Sequence, residues 1–117
     1  MERLLRATIN TWHGLLAAAR SEEAFRQELV ALMLAVPLAF LLAEETWKRL
    51  ALIGVVVFVL VVELLNTAIE KLADRLTTDH DPQIGRVKDM GSAAVGVALV
   101  MAGLFWLFAL AERMGAI

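Results

Sequence analysis

The sequence predicts an all-helical integral membrane protein of one domain, residues 1–117, with three transmembrane helices and an N-terminal amphipathic surface helix. Of the 117 residues 60% are apolar, and the mean hydropathy is +0.70, whereas a soluble domain is roughly 45–50% apolar. The excess lies in three blocks, residues 29–43, 50–69 and 90–111, whose only charged side chain is Glu63. The lack of cysteine excludes disulfides and thiolate sites, and a net charge of −2 offers nucleic acid no basic surface.

Residues 2–23 are predicted to form the amphipathic helix. Its apolar residues recur at spacings of three and four: Leu4, Leu5, Ile9, Trp12, Leu15, Leu16 and Ala19. Such a helix, with one tryptophan and scattered arginines, can lie flat on the membrane surface. Packing of the same apolar stripe against the membrane bundle is the alternative.

The three spans are predicted at about 25–43, 47–69 and 90–111. A helix needs about 20 residues to cross the hydrocarbon core, so the short first block must borrow residues on its N-terminal side. We do not expect that block to be a cleaved signal peptide, because its apolar run starts only at residue 29 and follows Glu22, Glu23 and Glu28, whereas a signal peptide has a short, basic leader. Pro37 predicts a mild kink.

Small residues on the third span predict a helix-packing seam. Ala94, Ala98 and Ala102 repeat every four residues beside Gly91, Ser92 and Gly96, a spacing that lets helix backbones approach closely in lipid. Trp47 and Trp106 lie near span ends and are expected in the aromatic belts of the membrane surface.

The distribution of lysine and arginine predicts the orientation. Three spans place the N-terminal segment and residues 70–89 on one side, with eight basic residues, against three on the other side. The positive-inside rule therefore predicts a cytoplasmic N-terminus in a multi-pass membrane protein.

A polar stripe on the second span is the main indication of function. Glu63, Asn66, Glu70 and Asp74 follow one another at helical spacing and share one face. Ionisable groups inside a membrane helix cost about 2.5 kcal/mol or more, so they indicate a functional site. Glu63 and Glu70 are about 10.5 Å apart along a helix. This spacing suits a reaction between a lipid acceptor at Glu63 and a water-soluble donor at Glu70.

Further polar residues accompany this stripe on the predicted cytoplasmic side. They are Glu22, Glu23, Asp79, His80, Asp81, Arg86, Lys88 and Asp89. Lys88 beside Asp89 could contact phosphate oxygens and a metal or ribose, and Mg²⁺ needs only one or two carboxylates in addition to substrate phosphates. The chain lacks the known signatures of soluble kinases, G-x-x-x-x-G-K-[ST], G-x-G-x-x-G and H-R-D.

The motifs of the chain resemble those of the prokaryotic diacylglycerol kinase family. They are E-L-L-N-T-A-I-E at 63–70, Asp74-Arg75, K-D-M-G-S-A-A at 88–94, E-A-F-R-Q-E at 23–28 and W-x-G-L at 12–15. The resemblance covers nearly the whole chain. It implies a homotrimer whose active sites are shared between subunits, with ATP as co-substrate, Mg²⁺ as cofactor and diacylglycerol as acceptor.

The resemblance also implies roles for individual residues. Glu63 matches the general base, Asn66 a further essential residue, and Glu22 and Glu70 the metal-binding pair. The positions matching nucleotide contacts are Arg3, Asn10, Asp79, His80, Asp81, Lys88 and Asp89, together with the metal-binding pair. Those matching lipid contacts are Trp12, Arg26, Gln27, Glu28 and Ser92, together with Glu63.

This sequence departs from the family pattern at three positions, and it leaves alternatives open. Asn10 replaces an aromatic residue, Asp81 replaces a histidine, and Glu23 replaces a small residue, so that either Glu22 or Glu23 could bind the metal. Undecaprenol is the alternative lipid acceptor. A small oligomeric transporter using Glu63, or a structural membrane subunit, is an alternative of another class.

Overall fold

The computed structural model describes residues 1–117 as four helices. In chain order they are α1 (Glu2–Ser21), α2 (Glu23–Leu42), α3 (Thr46–Leu76) and α4 (Pro82–Arg113). The last three are long and apolar enough to cross a membrane. The all-helical prediction with three candidate spans is therefore confirmed.

The corner between α1 and α2 is a single residue. Glu22 has an extended backbone, with φ −119° and ψ 113°, and thus ends one helix two residues before the predicted end. Arg26 Nη1 donates hydrogen bonds to the carbonyls of Ala19 (2.8 Å) and Arg20 (3.2 Å). These bonds satisfy carbonyls that the last turn of a helix leaves without an intrahelical partner.

Helices α3 and α4 both extend past the predicted spans on the side of the 77–81 connection. At about 1.5 Å per residue, the 31 residues of α3 reach beyond the hydrocarbon core. Helix α4 begins at Pro82, eight residues before the apolar block. Asp81 caps it, since its Oδ1 accepts hydrogen bonds from the backbone N–H of Gln83 (2.9 Å) and Ile84 (3.3 Å). Pro82 occupies the first helical position, where proline is favoured. Because α4 begins there, only five residues, 77–81, connect it to α3.

Helix α3 lies at the centre of the bundle and packs against both α2 and α4. Towards one end, Phe25 is fully buried with Ala18 and Leu60. Towards the other end, Ala39, Ala43 and Leu52 form a second buried cluster, joined by Trp106. Helix α1 is attached at its C-terminal end only, because Leu4, Leu5, Ile9 and Trp12 are all exposed.

The predicted seam on α4 is narrower than expected. Gly91 and Ala98 are buried and Ala102 is half-buried, but Ala94 and Gly96 are exposed. Since the buried positions are seven residues apart, the seam follows the heptad spacing of helix packing and not a four-residue repeat. Pro37 lies within a continuous α2.

Candidate active site

The polar stripe of α3 runs from buried to exposed towards its C-terminal end. Glu63 and Asn66 are each 8% exposed, Glu70 is half-buried, and Asp74 is exposed. Asn66 Nδ2 donates a hydrogen bond to Glu70 Oε1 at 3.1 Å. The amide thus holds one oxygen of the next carboxylate along the stripe.

Carboxylates from the α1–α2 corner and from α2 gather around Glu63. The carboxylates of Glu70 and Glu22 are near enough to interact electrostatically with that of Glu63, and Glu63 interacts in the same way with Glu28. Glu22 is paired with Lys71 Nζ at 3.4 Å. Glu63 therefore has three neighbouring carboxylates, of which Glu22 is the one paired with a lysine.

Two buried oxygen atoms in this region have no hydrogen-bond partner. They are Glu28 Oε2 and Asn66 Oδ1. Buried polar atoms in proteins are almost always paired, and an unpaired one calls for an explanation, such as a catalytic role. Both atoms are acceptors. Asn66 Oδ1 lies against Gly91 of α4, so Glu28 Oε2 is the one that suits a ligand that donates a hydrogen bond, such as an alcohol.

A second group of predicted residues surrounds a recess at the C-terminal end of α3. Asp74 forms an ion pair with Lys88 Nζ of α4. These two residues line a cavity of about 220 Å³ with Asp79, His80 and Asp81 of the connection. The cation, the acids and the histidine lie on the predicted cytoplasmic side, where a water-soluble ligand could enter.

Other predicted site residues lie neither near Glu63 nor at the recess of Lys88 within one chain. Arg3 and Asn10 lie by a separate recess on the exposed part of α1. Trp12 is 61% exposed. Gln27, Asp89 and Ser92 are exposed as well.

Some predicted site residues already have structural partners. The guanidinium of Arg26 bonds the end of α1, and one carboxylate oxygen of Asp81 caps α4. Glu23 is exposed in the first turn of α2 and is not one of the carboxylates near Glu63. Glu22, in contrast, contacts α3 through Lys71.

Two residues of the site were missed by the sequence reasoning. Lys71 was counted only for orientation, yet it pairs with Glu22 across two elements. Gly91 was expected only in a seam, yet it lies against the Asn66 amide. Lys71 lies one position after Glu70, and Gly91 lies within the K-D-M-G-S-A-A motif. Neither location indicates its partner, because the partner belongs to another element.

Comparison with known proteins agrees with these motifs. The family model of prokaryotic diacylglycerol kinase matches residues 9–110. The diacylglycerol kinase of Escherichia coli strain K12 is 43% identical over 113 residues, covering 97% of this chain and 93% of the relative. That of Pseudomonas aeruginosa is 42% identical over 106 residues, covering 91% and 86%. That of Haemophilus influenzae is 37% identical over 106 residues, covering 91% and 90%.

Proposed function

This chain belongs to the prokaryotic diacylglycerol kinase family, and from that membership we propose that it transfers the γ-phosphoryl group of ATP to the hydroxyl of diacylglycerol. The supporting observation is the polar stripe of α3. It extends from a carboxylate buried in a membrane-spanning helix to an exposed recess lined by a lysine. A lipid acceptor and a water-soluble donor could therefore meet along one helix face.

Glu63 is the proposed general base. It takes the proton from the lipid hydroxyl as that oxygen attacks the γ-phosphorus, while the bond from this phosphorus to the bridging β-γ oxygen breaks and ADP leaves. The products are phosphatidic acid and ADP. Phosphoryl transfer depends mainly on positioning and electrostatics. The unpaired acceptor Glu28 Oε2 provides a place to hold a hydroxyl or glycerol donor near Glu63.

No three acidic or histidine side chains come together to hold a metal ion by themselves, so a divalent cation here would need substrate phosphates to complete its coordination. We assign Glu22 and Glu70 as the residues that would hold Mg²⁺, consistent with its preference for one or two carboxylates plus phosphate oxygens. When bound, Mg²⁺ neutralises charge that develops on the phosphates during transfer. Asn66 orients Glu70 through the 3.1 Å hydrogen bond, and Glu22 is the better candidate than the exposed Glu23.

The nucleotide is proposed to bind at the recess of Lys88 and residues 79–81. Asp89 follows Lys88 in the sequence but does not line this recess, so its proposed nucleotide contact lies outside it. Lys88 neutralises phosphate oxygens once it exchanges its Asp74 partner for them. Arg3 and Asn10 lie on another surface of the same chain, so their assignment as nucleotide contacts requires a neighbouring subunit. A homotrimer with shared sites meets that requirement.

The lipid is proposed to approach along α1 and the start of α2. Trp12, Arg26, Gln27 and Glu28 provide the contacts there, and Ser92 provides one on α4. The exposed apolar side chains of α1 suit a helix at the membrane surface. We place the N-terminus in the bacterial cytoplasm from the excess of basic residues on that side.

The test is incubation of the purified protein with γ-labelled ATP, Mg²⁺ and mixed micelles containing either diacylglycerol or undecaprenol. We expect label in phosphatidic acid. Preferential labelling of undecaprenol would show that undecaprenol, not diacylglycerol, is the acceptor, and the protein would still be a lipid kinase. Absence of transfer to both lipids, from protein that is folded and binds ATP, would contradict the proposal.

A further inference from the structure

The Asn66 side chain fills the space that a side chain at position 91 would occupy. A Cβ built on Gly91 would overlap Asn66 Oδ1 and lie 3.2 Å from its Cγ and 3.9 Å from its Cβ. No other glycine of the seven has a heavy atom within 4 Å of such a Cβ. Gly91 is therefore the one glycine whose missing side chain admits a neighbour.

That neighbour is linked to the proposed metal ligand. One end of the Asn66 amide, Oδ1, lies against Gly91 of α4, and the other end, Nδ2, donates to Glu70 Oε1 at 3.1 Å. Asn66 is only 8% exposed, so its amide has little room to move elsewhere. A displacement at the oxygen end is thus passed to the nitrogen end, because the amide is a planar group.

We propose that Gly91 is a positioning residue for phosphoryl transfer: the space above its Cα lets the Asn66 amide lie between α3 and α4 with Nδ2 directed at Glu70. Gly91 touches no reacting atom in this proposal and acts only through Asn66. The inference rests on the proposed function for its effect on the reaction, but the contact itself can be tested without activity.

Helix propensity cannot account for a loss of activity or stability in Gly91→Ala. Alanine is a better helix former than glycine, so Gly91→Ala should stabilise α4 if the amide contact did not matter. Gly96→Ala is the matched control, because Gly96 is exposed on the same helix and has nothing within 4 Å of its would-be Cβ.

The contact can be observed directly by NMR, because the chain has only two asparagines, Asn10 and Asn66. Protein labelled with ¹⁵N in the asparagine side chains gives two NH₂ signal pairs, which Asn10→Gln assigns. We expect Gly91→Ala to shift the Asn66 pair and leave the Asn10 pair in place, while Gly96→Ala moves neither. An Asn66 pair that coincides with wild type in Gly91→Ala would overturn the proposal.

The consequence for the reaction is measured by two quantities, kcat and the Mg²⁺ concentration that gives half-maximal rate. We expect Gly91→Ala to lower kcat roughly tenfold to hundredfold, the size of loss that a 1 Å misplacement causes, and to raise the Mg²⁺ concentration needed for half-maximal rate. The KM for diacylglycerol should stay unchanged. A shifted Asn66 signal with wild-type kcat and Mg²⁺ dependence would overturn the positioning role.

A double variant separates this contact from general packing. Asn66→Ala removes the overlapping amide, so adding Gly91→Ala to it should change kcat by no more than about twofold, as for coupled sites in a mutant cycle. If Gly91→Ala fails to fold, the double variant should fold again. A double variant that loses activity multiplicatively, or that misfolds although Asn66→Ala folds, would show that Gly91 acts independently of Asn66. If no variant or wild type transfers phosphate to lipid, the proposed function fails while the NMR result still decides the contact.

Discussion

Glu63 and Asn66 are the least exposed polar side chains of the proposed site, at 8% each. Keeping a carboxylate in a membrane helix costs about 2.5 kcal/mol or more, so its presence indicates a use that offsets the cost. Interhelical hydrogen bonding would explain Asn66 alone, but it would not require several acids around one buried position.

We predict that Glu63→Gln abolishes turnover while leaving assembly and nucleotide binding intact. Glutamine keeps the size of the side chain and removes the basic carboxylate, and general-base catalysis contributes about 10²–10⁴ in rate. The measurement is the rate of phosphatidic acid formation, with ATP affinity and oligomer size as controls. Retention of more than about a tenth of the wild-type rate would remove Glu63 from the base role.

We further predict that Glu22→Gln and Glu70→Gln each raise the Mg²⁺ concentration required for half-maximal rate, and that excess Mg²⁺ partly restores at least one. Each change removes a charged ligand, and in Glu70→Gln the new side chain still offers an oxygen acceptor to Asn66. The measurement is a Mg²⁺ titration at saturating ATP and lipid. Weaker lipid binding with an unchanged Mg²⁺ requirement would contradict the assignment.

Two variants serve as controls for this metal prediction. Lys71→Met breaks the same ion pair as Glu22→Gln but keeps the carboxylate, so it should not raise the Mg²⁺ requirement. Glu23→Gln changes the exposed neighbour and should behave as wild type. If Glu23→Gln raised the requirement and Glu22→Gln did not, the ligand would be Glu23.

Polar side chains also link neighbouring helices. On the side away from the proposed site, Lys48 Nζ pairs with Glu112 of α4 at 2.6 Å. Arg49 Nε donates to the Ala43 carbonyl at 2.7 Å, and its guanidinium lies 4.6 Å from the centre of the Phe40 ring. Trp106 Nε1 donates to the Leu52 carbonyl of α3 at 3.1 Å. Trp106 therefore binds one helix to another, a contact that its expected place in an aromatic belt does not include.

We predict that Trp106→Phe destabilises the bundle by about 0.5–1.5 kcal/mol, the usual net value of one hydrogen bond. Phenylalanine keeps an aromatic ring but cannot donate to the Leu52 carbonyl. The measurement is unfolding of the protein in detergent micelles by denaturant. Trp47→Phe is the matched control, because Trp47 is 69% exposed. Equal stabilities of the two variants would contradict the role of the hydrogen bond.

The whole molecule is open for its size, since only 15 of 117 residues are buried. Apolar side chains such as Leu4, Val97 and Phe108 are exposed, and they need lipid or other subunits around them. The proposed nucleotide contacts are also divided between α1 and the recess near Lys88. Both features favour an assembly in which neighbouring chains complete each site.

We predict that two impaired variants partly restore activity when mixed. Subunits carrying only Glu63→Gln are exchanged with subunits carrying only Arg3→Met, because Arg3 lies at a recess of α1 away from the polar stripe of its own chain. If these residues come from different chains in one site, some interfaces of a mixed trimer pair the two intact halves. The recovered rate should be a fraction of wild type, because other interfaces combine both defects.

The control for this mixing experiment is cross-linking, which reports whether subunits exchanged. Mixtures that exchange yet stay inactive at every ratio would place the two residues in one chain or the sites within single chains. That result would contradict the shared site for this pair and leave the kinase proposal standing.

Much of the fold can be predicted from the sequence alone, because hydropathy and helical periodicity are local. The three apolar blocks identify the candidate spans, and the spacing of Glu63, Asn66 and Glu70 places them on one face of whichever helix contains them. The start of α4 at residue 82 can also be predicted from the sequence. Asp81 is a favoured N-cap residue, and Pro82 is favoured at the first position of a helix.

The contacts between elements required the tertiary structure. Helical spacing does not fix how α3 and α4 are rotated about their axes, so it cannot show that the Asn66 amide lies against Gly91. It cannot show either that the bend at Glu22 brings that residue to Lys71. Residues distant in sequence meet only after packing has set the rotation and depth of every helix, and that packing depends on all the helices together.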